Sequence, residues 1–396
     1  MQIIRNRISY HIPRFGFKYL YDTTFLNEEH QQIQKVALDF AKENMLPYAS
    51  DWDKNNYLPR EVLKELSDMG FATIYVKQEL GGVGLDHLSA SVIFEALSYG
   101  DITTTATLAV QNLCAYLLAN YGTEDQRKTW IPRINSFEAL VAYCLTEPNS
   151  GSDSKNMETY AKKDGKDYII NGIKCFISGG SVSDLYLIVC RTSEKDVSSI
   201  LVEKDTPGLS FGKVEDKMGW HASPTTRVIL ENVRVPQSNL VGKEGQGFKM
   251  GMSALDGGRI NISSCSLGGA SLALDLSRDY LQDRKQFGQQ LSSFQGLQFK
   301  LADMAASLVT SRLIVRQAAM KLDQNQIDKS LYVSMAKRYA TDSCFDVAND
   351  ALQLHGGYGY LREYQIERVV RDLRVHKILE GTNEIMRMII ARNLLK

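Results

Sequence analysis

Val141-Ala142-Tyr143-Cys144-Leu145-Thr146-Glu147-Pro148-Asn149-Ser150-Gly151-Ser152-Asp153 is the stretch where the chain changes its hydrophobic period. Upstream of it, apolar residues recur at helical spacing. Ile33, Val36, Ala37, Phe40 and Ala41 fall at i, i+3, i+4, i+7 and i+8, one face of an amphipathic helix that Pro47 brings to its end. Val62, Leu63, Leu66 and Met69 predict a second helix closed by Gly70, and residues 89–99, 104–121 and 124–135 predict three more. From Val141 onward the pattern is one of short runs rich in β-branched and aromatic residues, at 141–146, 167–171, 173–177, 184–191, 198–203 and 225–235, separated by Gly, Asp, Ser or Pro. Beyond Glu244 the helical period returns in longer segments, 248–285, 294–324 and 328–355, with a shorter helix from Asn383. Long helices joined by short polar or glycine-bearing breaks predict an antiparallel bundle. The reading is an α+β multidomain chain: a helical domain over 25–139, a β domain over 140–243 and a helical bundle over 244–396.

Composition bounds what such a chain can do. Its 396 residues suffice for a large buried core, and 44% hydrophobic with 23% charged residues is ordinary for a globular protein. Lys plus Arg and Asp plus Glu stand at 46 each, so the net charge gives no reason to expect nucleic acid, and any anion site must be local. Cys114, Cys144, Cys175, Cys190, Cys265 and Cys344 form no CxxC pair and no metal-ligand spacing. Free thiols in a reducing compartment and no metal site are expected. Residues 1–22 set Arg5, Arg7, Arg14 and Lys18 among Ile, Phe, Tyr and Leu with no acidic residue before Asp22. That is the composition of a mitochondrial transit segment and equally of a basic, poorly ordered N-terminus. No run of about 18 apolar residues occurs, so no membrane span is expected.

Four stretches carry candidate chemistry. In residues 371–387, Glu380 follows the apolar pair Ile378 and Leu379 and precedes the turn-like Gly381-Thr382-Asn383, between the end of one helix and the start of another. A carboxylate held there against apolar neighbours loses hydration and becomes a stronger base, the requirement for a general base. The same residue also reads as an exposed Glu beside a helix cap. Residues 143–153 leave a strand for a loop dense in hydroxyls and small residues, which can offer N–H and O–H donors to a polar ligand or can be a surface turn. It is not the GxGxxG of a dinucleotide-binding βαβ unit, and the strand-helix alternation of that fold is missing. Gln353-Leu354-His355-Gly356-Gly357-Tyr358-Gly359-Tyr360 ends a long helix with backbone that can pass close to a phosphate, or else is a simple C-cap. Gly81-Gly82-Val83-Gly84 reads as a connecting turn or as a close approach to a ligand.

Taken together, residues 143–153, Arg284-Lys285-Gln286-Phe287-Gly288, residues 353–357 and Leu379-Glu380-Gly381-Thr382-Asn383-Glu384 resemble, in the right order, the linked signatures of the acyl-CoA dehydrogenase family. The resemblance covers nearly the whole chain after the leader. It implies a homotetramer with FAD in each subunit, a helical, a β and a four-helix-bundle domain, and the mitochondrial matrix as location. It further implies that Glu380 takes the α-proton of a thioester while flavin N5 accepts the β-hydride. Tyr143, Leu145, Thr146 and Ser152 match the loop that contacts flavin, with Ser152 also near the acyl-CoA, and Phe176, Ile177 and Ser178 match the residues against the flavin ring. Arg284, Phe287 and Gln295, with Gln353, Gly356 and Gly357, match positions that reach the FAD of a neighbouring subunit. Thr382, Asn383 and Glu384 match cofactor contacts near the base, while Asp256, Arg259 and Arg392 match contacts to the CoA moiety. Some family members carry the base immediately before the arginine equivalent to Arg259, but Gly258 stands there and cannot take a proton. Residues 91–97, 256–262 and 369–384 are most similar to members acting on isobutyryl-CoA, which they convert to methacrylyl-CoA in valine breakdown with electron-transfer flavoprotein as acceptor. Butyryl-CoA and 2-methylbutyryl-CoA are alternative substrates. An acyl-CoA oxidase and a non-catalytic assembly factor are alternative uses of the same scaffold.

Overall fold

The first helix starts where Asn27 and His30 cap each other's backbone, the reciprocal arrangement that satisfies N–H groups a helix cannot use itself. The computed structural model describes residues 22–395. The expected leader over 1–22 therefore lies outside the described residues, Asp22 excepted.

Six helices come first: α1 (Glu28–Asn44), α2 (Ala49–Asn55), α3 (Arg60–Asp68), α4 (His87–Gly100), α5 (Ile102–Tyr121) and α6 (Glu124–Asn135). Asp86, Asp101 and Thr123 accept from the third residue of α4, α5 and α6, so each start is written locally. The periodicity does not reveal α2, which is seven residues long and buries only Ala49 and Trp52. By length and composition α5 could cross a bilayer, yet most of it is buried inside the protein, as a core helix would be.

The β region forms one eight-stranded sheet from β1 (Val141–Cys144), β2 (Tyr160–Asp164), β3 (Asp167–Ser178), β4 (Leu185–Arg191), β5 (Val197–Glu203), β6 (Leu209–Phe211), β7 (Thr225–Pro236) and β8 (Leu240–Val241). The order is β6-β7-β3-β2-β4-β5-β8, with β1 parallel to β4. The two runs 167–171 and 173–177 are one strand, because the ladder to β7 shifts register between Ile170 and Gly172 instead of ending. Strand β2 escapes a pattern search because Ala161 is its only buried residue.

The last region holds α7 (Gly247–Asp283), a hairpin of β9 (Lys285–Gln286) and β10 (Gln289–Gln290), α8 (Gln295–Asp323), α9 (Lys329–Leu354), α10 (Ile366–Arg374) and α11 (Asn383–Leu394). Helix α10 is a further element, with Ile366, Val369, Val370 and Leu373 at i, i+3, i+4 and i+7. One hydrophobic core runs through α1, α4, α5, α7, α8, α9 and α10, so the first and last regions share their interior. Gly268 of α7 lets α4 approach closely: a Cβ there would stand 2.2 Å from the Glu95 carbonyl oxygen. A second core joins α5 and α6 to β1, β4 and the start of α7. The sheet has its own interior. All six cysteines are buried and unbridged.

Candidate active site

Glu380 ends a short helical turn after α10 in left-handed backbone, φ +58°, followed by Gly381 at φ +90°. Such a conformation in a residue with a side chain costs free energy unless its surroundings hold it. Here they do. Arg259 Nε of α7 donates to the Glu380 carbonyl at 3.0 Å, and Lys337 Nζ of α9 donates to the Gly381 carbonyl at 2.8 Å. Thr382 then caps α11 by accepting from the Ile385 N–H at 3.3 Å. Arg259 is fixed in turn by Asp256 at 2.8 Å, whose other oxygen accepts from Ser330 at 2.7 Å.

The Glu380 carboxyl lies against α7. A Cβ on Gly258 would stand 2.8 Å from Glu380 Oε2, so only glycine leaves the carboxyl its place. Oε2 is shielded from water and has no hydrogen-bond partner among the described residues. Burial pushes the carboxyl up to about 7, against the opposing pull of Arg259 and Lys337. Near neutral pH such a group can both accept and release a proton.

Glu380 forms part of a cleft of about 670 Å³ between the β domain and the helices. Tyr143, Leu145, Thr146, Ser152, Phe176, Ile177 and Ser178 line one side, and Arg259, Glu380 and Arg392 line the other. Phe176 is 70% exposed in left-handed backbone, which turns a large ring into the cleft instead of the sheet core. The Tyr143 hydroxyl is buried without a partner among the described residues. An open aromatic wall, an unpaired buried hydroxyl and a hydroxyl-rich loop fit a flat ligand with polar edges.

A buried ion pair holds this wall together. Lys174 Nζ donates to Glu147 Oε1 at 2.7 Å and to the Leu145 carbonyl at 3.0 Å, tying the loop to β3 two residues before Phe176. Glu147 also accepts from the Glu158 and Thr159 N–H groups. Burial works to raise the Glu147 carboxyl, but the Lys174 ammonium and these donors outweigh it and hold it below the usual range.

Other candidate residues sit elsewhere. Arg284, Gln353, Gly356 and Gly357 gather in a second cavity of about 430 Å³, where the Arg284 guanidinium lies 5.3 Å from the Tyr358 ring centroid. Phe287, at the β9–β10 turn, is 93% exposed, and Gln295 is exposed at the start of α8; neither lines either cavity. Asp256 is buried under Arg259 and does not line the cleft. Asn383 does not face it either. Its side-chain amide is hydrogen-bonded inside the subunit to Lys337, Thr341 and Asp342. Glu384 is exposed on the first turn of α11, where its own backbone N–H and the Thr382 hydroxyl hold its carboxyl below the usual range.

Sequence reasoning missed Lys337 and the apolar floor of Val110, Leu113, Met252 and Leu255. The floor residues carry no signal distinct from ordinary core. Lys337 did leave one: it sits on the buried stripe Val333, Ala336, Ala340 and Cys344, where a lysine must have a reason.

Comparison with known proteins adds to this geometry. Models of the acyl-CoA dehydrogenase N-terminal, middle and C-terminal domains match residues 27–138, 142–233 and 245–395. The chain is 53% identical to the mitochondrial isobutyryl-CoA dehydrogenase of Dictyostelium discoideum over 94% of its own length and 90% of that protein's. It is 49% identical to the Bos taurus enzyme of that name, with the same shares covered. The solved butyryl-CoA dehydrogenase of Megasphaera elsdenii superposes with a TM-score of 0.90 at 36% identity, over 94% of this chain and 99% of that one. Likeness of this depth, running through the helical, β and helical regions alike, makes the chain a member of the acyl-CoA dehydrogenase family.

Proposed function

We propose that this FAD-dependent acyl-CoA dehydrogenase oxidises isobutyryl-CoA to methacrylyl-CoA, with Glu380 as its base. The observation that carries the base assignment is the Glu380 carboxyl, on the cleft wall, pushed up to about 7. Removing the weakly acidic α-proton of a thioester places charge on the thioester oxygen. The Glu380 N–H, which has no hydrogen-bond partner among the described residues, is a donor for that oxygen. Bound FAD supplies the two-electron acceptor for the hydride that leaves the β-carbon.

Tyr143, Leu145, Thr146, Ser152, Phe176, Ile177 and Ser178 would hold the cofactor on the β-domain wall, with Thr382 and Glu384 beyond the base. Phe176 there keeps water from the reacting centre. Arg284, Phe287, Gln295, Gln353, Gly356 and Gly357 would serve the cofactor of a neighbouring subunit in a homotetramer, the guanidinium neutralising pyrophosphate. The separate cavity that Arg284, Gln353, Gly356 and Gly357 line and the exposed Phe287 support this reading. Arg259, Arg392 and Ser152 would meet the acyl-CoA. Electron-transfer flavoprotein is the acceptor and the mitochondrial matrix the location that go with this activity, in keeping with the mitochondrial relatives.

The test is anaerobic mixing of the FAD-loaded protein with isobutyryl-CoA, butyryl-CoA and 2-methylbutyryl-CoA, following bleaching of the visible flavin band. Fastest bleaching with isobutyryl-CoA is expected. Faster bleaching with another thioester replaces the substrate, since one methylene is worth only about 1–3 kcal/mol in such a pocket. Glu380→Gln should keep FAD and bind thioester but lose nearly all bleaching; wild-type-like bleaching would remove the base assignment.

A further inference from the structure

We propose that Lys337 is a positioning residue for this reaction: its buried ammonium locks the backbone that carries Glu380 and, as a positive charge beside it, favours the ionised form of that carboxyl. The inference rests on Glu380 being the base.

The corner at Glu380 and Gly381 consists of two consecutive left-handed residues, and its two consecutive carbonyls are each taken by a buried cation from a different helix. The two cations differ in what balances them. Arg259 has Asp256 at 2.8 Å. Lys337 is fully buried, and its hydrogen-bond partners among the described residues are neutral: the Gly381 carbonyl at 2.8 Å and the Asn383 side-chain oxygen at 2.9 Å. Among the carboxylates around it Glu380 has the strongest effect, ahead of Asp342 and Glu384. Asp342 is already shared by Arg338, Lys377 and Arg387.

Asp153, Lys155 and Arg392 also line the cleft with Glu380, and none of them is among the charges that shift it; the buried titratable groups packed on it are neutral near pH 7. Burial pushes the Cys114 thiol of α5 and the Tyr143 hydroxyl of β1 well above their ordinary values. His376, near Lys337, is pushed down to about 3 by burial and by that ammonium. Arg259 and Lys337 are thus the two charges that oppose burial at Glu380. Lys337 itself is lowered to about 8, chiefly by burial, which leaves it charged through neutral pH.

The sign of the effect follows. Only ionised Glu380 can take the α-proton, so turnover rises with pH as the carboxyl loses its own proton. Removing the Lys337 charge makes ionisation harder and moves that rise to higher pH, by about one unit for a nearby opposite charge. Lys337→Met and Lys337→Gln in the FAD-loaded enzyme should both show the displaced acidic limb in kcat, with turnover down about tenfold at pH 6.5 and KM changed less than threefold. Exchange of the substrate α-proton in heavy water, which reads the base without hydride transfer, should move in parallel. Lys337→Arg should bring the limb back toward wild type. Gln retains one donor for the Gly381 carbonyl, so it serves if the Met variant does not fold. An unmoved limb in either folded variant overturns the proposal, and so does loss of fold in both, which would make the role purely structural. If Glu380→Gln keeps turnover, the base assignment fails instead, and the two failures are distinguishable.

Discussion

At the scale of single residues, the site depends on one missing Cβ. Because a side chain on Gly258 would stand 2.8 Å from Glu380 Oε2, Gly258→Ala must swing the carboxyl out of line. Displacing a reacting group by about 1 Å costs on the order of a hundredfold in rate. We expect kcat to fall tenfold to a hundredfold with FAD content and thermal midpoint near wild type, measured by steady-state kinetics and thermal unfolding of the same sample. Unchanged kcat would show that the carboxyl has room the structure does not give it. Glu380 and Gly258 could both be singled out in the sequence, the first by its apolar-to-turn setting, the second by its place before Arg259. That they touch could not, since 122 residues separate them and no local pattern records a contact across that distance.

At the scale of elements, the Lys174–Glu147 pair is the joint between the strand that carries Phe176 and the loop that carries Leu145 and Thr146. Both side chains are almost wholly buried, so removing one leaves the other charge uncompensated at a cost of about 3–5 kcal/mol. Lys174→Met should lower the thermal midpoint by several degrees and weaken FAD retention. Lys174→Met with Glu147→Gln should recover part of both, because the orphaned charge is gone. Equal losses in the single and double variants would count against the pair as the joint. The elements most legible in the sequence were those with several apolar repeats or a local cap, such as α4 and α5. Helix α2 and strand β2 were not, because α2 buries only Ala49 and Trp52 and β2 only Ala161, too few apolar positions to show a period. Gly172 misled in the opposite direction: it reads as a break between two strands, yet one strand passes through it on a register shift.

At the scale of the whole molecule, two cavities hold candidate cofactor residues, one at Glu380 and one at Arg284. If the second serves a neighbouring subunit, Arg284→Ala should lose FAD and shift the protein from tetramer toward smaller species in sedimentation, with both restored in part by excess FAD. Unchanged FAD content and assembly would remove Arg284 from that role. The order of helical, β and helical regions was determined by the sequence alone, because the period of apolar residues is a local property that each element carries. The four signatures were likewise local, and they named the chemistry. Only the tertiary structure decided how that chemistry is held: Arg259 and Lys337 converge on successive carbonyls at Glu380 from two helices. It also turned Asn383 inward and set the carboxyl near neutrality. These depend on burial and on charges brought together through space, which a linear pattern does not contain.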